Sequence, residues 1–157
     1  LVTMDFGAVY EGYCSDITRT ICVGRADAHQ RERYDAVLAA QERALAALHP
    51  GVTGIEADRV ARDALAEKNL AQYFGHGLGH SLGLEIHEEP RLSKSCPVAL
   101  QENMLITDEP GIYIPEENIG VRVEDLVIIT EDGCKVLNHY TKDLLVVKKD
   151  GTIEKAE

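Results

Sequence analysis

A chain of 157 residues suits one domain, and 45% hydrophobic with 27% charged residues is an ordinary globular composition. Its 27 acidic against 16 basic residues give a formal charge of -11, which argues against a nucleic-acid backbone or an anionic membrane surface as the main partner. No stretch reaches the ~20 apolar residues of a membrane span, and with 5% aromatics and no Trp a stacking platform for single strands is not expected.

The chain opens on Leu-Val-Thr-Met-Asp-Phe-Gly, without a basic n-region or a small-residue cleavage site, so it does not read as a signal peptide. A start without Met inside an apolar run reads as a piece of a longer protein. Residues 1–10 and 13–23 are rich in β-branched and aromatic side chains, and Glu11-Gly12 between them predicts a β-hairpin. A helix follows the polar stretch Gly24–Asp27, with Tyr34, Val37, Leu38, Gln41, Ala44, Leu45 and Leu48 on one face and Gln41 its polar exception. His49-Pro50-Gly51 stops it. Thr53 with Glu56 is a capping-box signature for a second helix over 54–69, carrying Ile55, Ala57, Val60, Ala61, Ala64 and Leu65.

Residues 75–83 hold four glycines, which marks irregular backbone or close approach. Strands are predicted over 103–109, 119–130, 135–139 and 143–148, with a Pro/Gly-rich turn from Pro110 to Asn118 and fraying at the end. This order fits an α+β fold better than alternating βαβ units. Cys14, Cys22, Cys96 and Cys134 form no CxxC pair, so they read as free thiols in a reducing cytoplasm.

Several side chains are candidates for chemistry. A turn at Glu11-Gly12 sets Tyr10 opposite Tyr13 and Asp5 opposite Thr18, which puts Asp5 and Asp16 diagonally on one face, ~7–8 Å apart at the backbone. Each could be a solvated strand residue. Yet Asp is depleted in strands, and two like charges on one face repel unless a cation lies between them. His76, His80 and His87 cluster in and just after the glycine-rich segment, and imidazole suits mixed nitrogen/oxygen sites for zinc, iron, cobalt or manganese. His29, His49 and His139 suggest no role. Glu109 ends an apolar strand before a Pro turn. Arg122 and Glu124 share one strand face, and their default reading is an ion pair.

Four segments, MDFGAVYEGYCSDITRT, GHGLGHSLGLEIHEEP, ITDEPGIYIP and GVRVEDLVIIT, together resemble the pita-bread metallopeptidase family. That family includes methionine aminopeptidase, aminopeptidase P and Xaa-Pro dipeptidase (prolidase), and the wording is most similar to the Xaa-Pro branch. The match runs over about residues 1 to 130. The resemblance implies a curved antiparallel sheet covered by helices, of which residues 1–157 would be the C-terminal portion of a single catalytic domain that lacks its N-terminal part. It implies five metal ligands, Asp5, Asp16, His80, Glu109 and Glu124, holding two divalent ions. Mn2+ is favoured by the oxygen-rich set, with Co2+, Zn2+ and Fe2+ as alternatives.

The implied reaction is hydrolysis of an Xaa-Pro bond, in a dipeptide or at a peptide N-terminus, by a hydroxide bridging the metals. The implied partner is a peptide with proline at its second position, and the implied assembly a homodimer of the full-length protein. His87 would stabilise the tetrahedral intermediate. Glu109 would shuttle the proton to the leaving nitrogen, His76 would bind substrate, and Arg122 would orient a carboxylate ligand. The alternatives are a methionine aminopeptidase, or an inactive metal-binding fragment or binding module of the same fold. One departure stands out: the family usually has an aliphatic residue where this chain has Asp108. Its side chain should point away from Glu109, so only a local change is expected.

Overall fold

The computed structural model describes residues 1–156. Its strands are β1 (Val2–Phe6), β2 (Val9–Tyr10), β3 (Tyr13–Cys14), β4 (Ile17–Val23), β5 (Gly79–Ser81), β6 (Glu88–Leu92), β7 (Leu105–Asp108), β8 (Gly111–Ile114), β9 (Ile119–Arg122), β10 (Asp125–Thr130), β11 (Gly133–Val136), β12 (Leu145–Val147) and β13 (Ile153–Lys155). The helices α1 (Ala28–Ala47) and α2 (Gly54–Ala66) lie between β4 and β5 in the chain. One sheet has the order β1-β4-β12-β13 and a second β11-β10-β7-β5-β6, with two-stranded ribbons β2-β3 and β8-β9. Among the described residues only β4 and β12 pair in parallel, so the α+β reading holds.

The hairpin register is the one its turn predicts: Asp5 pairs with Thr18 and Tyr10 with Tyr13. Glu11 and Gly12 both take positive φ, 51° and 89°, the backbone whose twist matches the flanking strands. The ladder does not run unbroken over 1–10 and 13–23. At Gly7 a Cβ would lie 1.9 Å from the Ser15 carbonyl oxygen, so the two arms of the hairpin approach more closely there than any side chain allows. The Ser15 hydroxyl accepts the Ala8 N–H at 3.0 Å, and Asp16 falls just outside β4.

Both helices begin on reciprocal caps. Thr53 and Glu56 form the expected box, and Asp27 with Gln30 form a second at the start of α1. α2 ends at Ala66 rather than residue 69, and Ile55 on its expected inner face is exposed. The polar exception Gln41 is fully buried, donating to Asp125 Oδ2 (3.1 Å) and accepting from Lys142 Nζ (3.0 Å). Core residues of the helices (Val37, Ala40, Ala57, Ala61) share one buried cluster with Leu92, Ile106, Val127 and Ile129 of the second sheet.

Three expectations are corrected. The run Pro110–Asn118 is not all turn, because it contains β8, which pairs with β9 from Gly111↔Arg122 to Ile114↔Ile119. Residues 119–130 are two strands: the chain leaves β9 after Arg122, and the Glu124 N–H bonds the Thr18 carbonyl at 3.1 Å before β10 begins. Ile153–Lys155, near the end of the described residues, do not fray, since they pair with β12. The glycine-rich segment contributes the inner strand β5, where a Cβ on Gly79 would meet the Thr107 carbonyl oxygen at 1.9 Å.

Asp108 lies opposite Asp125 in the β7–β10 ladder, fully buried, with no hydrogen bond to either carboxylate oxygen. Burial, and then the Asp125 charge, hold its carboxyl well above the usual range. A protonated carboxyl without a partner costs about 1–3 kcal/mol. The folded state keeps a proton that the unfolded chain loses above pH ~4, so this cost grows as pH rises. Asp108→Val should raise Tm by roughly 3–10 °C, more at pH 8 than at pH 5. Thermal unfolding at both pH values checks this, and a Tm that falls on substitution would contradict it.

Candidate metal centre

Five separate parts of the chain meet in one region. β1 supplies Asp5, the entry to β4 supplies Asp16, β5 supplies His80, the residue after β7 is Glu109, and the β9–β10 junction supplies Glu124. Donor atoms of Asp16, His80 and Glu124 all lie within 4.8 Å of one another, and the three side chains are buried. His80 Nε2 stands 3.2 Å from Glu109 Oε1 and 3.7 Å from Asp16 Oδ2. Its Nδ1 faces the Ser81 carbonyl at 3.0 Å. Only an N–H can bond a carbonyl, so Nδ1 carries the proton and Nε2 is the atom turned toward the carboxylates. Asp5 stands outside the tight group. It is half-exposed and ion-paired to Arg122.

The electrostatics are those of a cluster with too much negative charge. Burial, then the Glu109 charge, push Glu124 up to about 8, against a 2.5 Å hydrogen bond from the Thr18 hydroxyl. Burial and the Asp5 charge raise Asp16. Burial also acts to raise Glu109, but the bond and charge of His80 outweigh it and hold this carboxyl below its ordinary value. His80 is raised in turn: burial opposes its charge, and its bond to Glu109 wins.

Arg122 does not pair with Glu124. Its Nε donates to Thr18 Oγ1 (3.1 Å), one terminal nitrogen donates to Tyr113 Oη (2.9 Å) and the other to Asp5, while Glu109 Oε2 lies 3.9 Å from Nε. The Thr18 hydroxyl stands between Arg122 and Glu124, accepting from one and donating to the other. His76 Nε2 is 3.2 Å from Tyr113 Oη, and its Nδ1 is 2.8 Å from the Gly77 carbonyl. One proton arrangement satisfies the chain: Arg122 donates to Tyr113, Tyr113 donates to His76 Nε2, and His76 Nδ1–H donates to Gly77. The His87 ring stands edge-on to His80 with centroids 4.4 Å apart.

His87 lines two clefts. One, about 350 Å³, is walled by Asp5, Asp16, Val9 and Ile86. The other, about 250 Å³, holds His76, His80, Arg91, Glu109 and Arg122. A larger hollow of about 870 Å³ along α1 and the chain's last residues contains none of these side chains. Thr18 and Tyr113 lie within the quoted segments, but their roles escape a motif-based reading. Thr18 carried a signal in its position opposite Asp5, whereas Tyr113 lay in a stretch read as turn.

The residues fit divalent cations. The cluster offers carboxylate oxygens and one imidazole nitrogen, a donor set for manganese, cobalt, zinc or iron rather than for a thiolate-bound ion. Its raised carboxyl groups, Asp16 and Glu124, mark burial and like-charge repulsion, both of which a cation would offset.

The profile of Metallopeptidase family M24 matches residues 1–131. The chain is 52% identical over 145 residues to the Xaa-Pro dipeptidase of Pyrococcus furiosus, a match that covers 92% of this chain and 41% of that protein. Among solved structures, the Xaa-Pro dipeptidase from Bacillus anthracis superposes with a TM-score of 0.89 at 49% identity, covering 92% of this chain and 40% of that one. The X-Pro aminopeptidase from Thermotoga maritima gives 0.89 at 45% identity over 92% and 41%. The architecture is therefore the pita-bread fold expected from the sequence. The chain spans about two fifths of the length of these relatives.

At neutral pH the metal-free Glu124 carboxyl holds a proton that a cation must displace. Mn2+ affinity should therefore rise with pH through about 8, with proton release on binding. Calorimetry in two buffers of different ionisation enthalpy measures that release, and Glu124→Gln should lose most of it. Binding at pH 7 without proton release would contradict the account.

Proposed function

The chain belongs to metallopeptidase family M24, and from that premise we propose that the protein is a dinuclear-metal exopeptidase that hydrolyses Xaa-Pro bonds in dipeptides or at peptide N-termini. Residues 1–157 are read as the C-terminal portion of its catalytic domain. The observation that carries the proposal is the convergence of Asp16, His80 and Glu124 within 4.8 Å, with Glu109 3.2 Å from His80 and His87 against the same ring. Asp5, Asp16, His80, Glu109 and Glu124 would hold two divalent ions, Mn2+ first among them. When bound, such ions supply Lewis acidity, which acidifies water and polarises a carbonyl.

The chain's own groups carry the rest. Glu109 is held ionised at neutral pH by His80, with Thr107 donating to it at 2.9 Å, so it can accept the proton of the attacking water and return it to the leaving nitrogen. That shuttle matters for proline, whose ring nitrogen departs only once protonated. His87 faces both clefts and donates to the oxygen on which negative charge develops. Arg122 fixes Asp5 and, through Thr18, the Glu124 carboxylate. His76, held by Tyr113 at the cleft wall, contacts the substrate backbone. Arg91 lines that same cleft, and its guanidinium suits the free carboxylate of a dipeptide. The cysteines are all free thiols, which fits a reducing cytoplasm.

The metal-loaded full-length protein should cleave Ala-Pro and longer Xaa-Pro peptides, and a chelator should abolish cleavage. No metal-dependent cleavage of either substrate, or preferential cleavage of Met-Ala-Ser, would sink the proposal. His87→Ala should lower kcat about 10²–10³-fold with two metal ions still bound per chain. Turnover within twofold of the unsubstituted protein would remove His87 from the mechanism.

A further inference from the structure

We propose that Asp58 and Arg62 of α2 are a positioning pair that holds residues 74–78 and thereby sets the angle of His76 at the cleft. The inference rests on the proposed role of His76 in contacting substrate. The two side chains stand one helical turn apart and form a two-pronged ion pair, with Arg62 Nε 2.6 Å from Asp58 Oδ2 and a terminal nitrogen 3.0 Å from Oδ1. A pair that served only the helix would stop there. Instead the remaining donors of Arg62 reach the carbonyl of Phe74, at 2.8 Å, and that of His76. Asp58 Oδ1 also accepts the Leu78 N–H at 3.1 Å.

Alternate residues of one irregular run, 74, 76 and 78, are thus tied to one side-chain pair on a rigid helix. The run needs outside support, because Gly75 and Gly77 flank His76 and impose little conformational preference of their own. The contact continues through the rings. The guanidinium lies 4.1 Å over the Phe74 ring, and Phe74 meets the His76 ring edge-on at 5.0 Å. Asp58 is fully buried and Arg62 is nearly so, with 1% and 14% of their side chains exposed, so the pair is screened little by solvent. A lysine at 62 would keep the charge but could not serve a carboxylate and two carbonyls from one plane.

The test uses the metal-loaded full-length protein with Ala-Pro as substrate and compares Arg62→Lys, His76→Ala and the double variant. Arg62→Lys should keep two metal ions and lower kcat/KM about 10–100-fold, the cost of a side chain displaced by about 1 Å. Its division between KM and kcat should match that of His76→Ala, and the double variant should be no worse than His76→Ala alone. Losses that multiply in the double variant would overturn the proposal, because a merely structural role acts independently of His76. If Arg62→Lys does not fold, Asp58→Asn takes its place in the same cycle.

A second readout does not depend on turnover. In metal-free full-length protein labelled at histidine, the His76 ring signal should shift in Arg62→Lys while the His139 signal stays. An unmoved His76 signal overturns the positioning role. A shifted signal in a protein that cleaves no Xaa-Pro peptide retains the positioning role and discards the assigned activity.

Discussion

Negative charge confined out of water is the constraint around which the described residues are arranged. Asp16, Glu109 and Glu124 converge on a single imidazole with Asp5 at the rim, and the raised carboxyls of Asp16 and Glu124 register their burial first and the resulting repulsion second. Left to themselves, such side chains would rotate away from one another into water, as surface carboxylates do. They are kept in place because each comes from an element that the rest of the fold anchors. Asp16 follows the close crossing at Gly7, His80 sits on an inner strand, Glu109 is backed by Thr107, and Glu124 sits where the chain crosses between two sheets.

The counter-charges lie where they hold the ligands without occupying the space between them. Arg122 approaches from one side and pairs with Asp5, leaving Glu124 to the neutral Thr18 hydroxyl. Arg19 lies behind the backbone. It bonds the carbonyls of Thr18 and Glu124 and the Asp125 carboxylate, and it also donates to the carbonyls of Tyr140 and Thr141. With Asp125 satisfied by Arg19, Lys142 and Gln41, the residue beside Glu124 is a fully paired buried ion. That network explains why a glutamine occupies an otherwise apolar helix face, and why Asp108, facing the same Asp125, is left without a partner.

What could be read from the sequence was local. The turn residues Glu11-Gly12 give the hairpin register, and with it the shared face of Asp5 and Asp16. Thr53 and Glu56 give the start of α2, and the apolar spacing gives most of the buried positions on α1. What escaped was set by distant partners. Nothing near Arg122 says that its carboxylate partner lies 117 positions away at Asp5, and nothing near Asp58 or Arg62 says that they hold residues 74–78. β8 was hidden because Pro110, Gly111 and Pro115 read as turn, although only its pairing with β9 makes it a strand. The site's residue types were legible through four motifs taken together; their proton states and hydrogen-bond partners were not.

Thr18 is the residue at which these levels meet. Its place opposite Asp5 follows from the hairpin turn, its carbonyl accepts the Glu124 N–H, and its hydroxyl bonds the Glu124 carboxylate and the Arg122 guanidinium. Side chains alternate faces along a strand, so a slip of one residue in the β1–β4 register would turn Thr18 and Asp5 to opposite faces and leave both Glu124 and Arg122 unsupported. The centre therefore cannot form within any one element. It appears only when the hairpin has paired and the β9–β10 junction has docked on it. Any cation that binds these carboxylates more tightly when they are gathered than when they are apart must then favour that docking by the same free energy. Sheet assembly and metal affinity are in this way two readings of one equilibrium, with Thr18 as the contact they share.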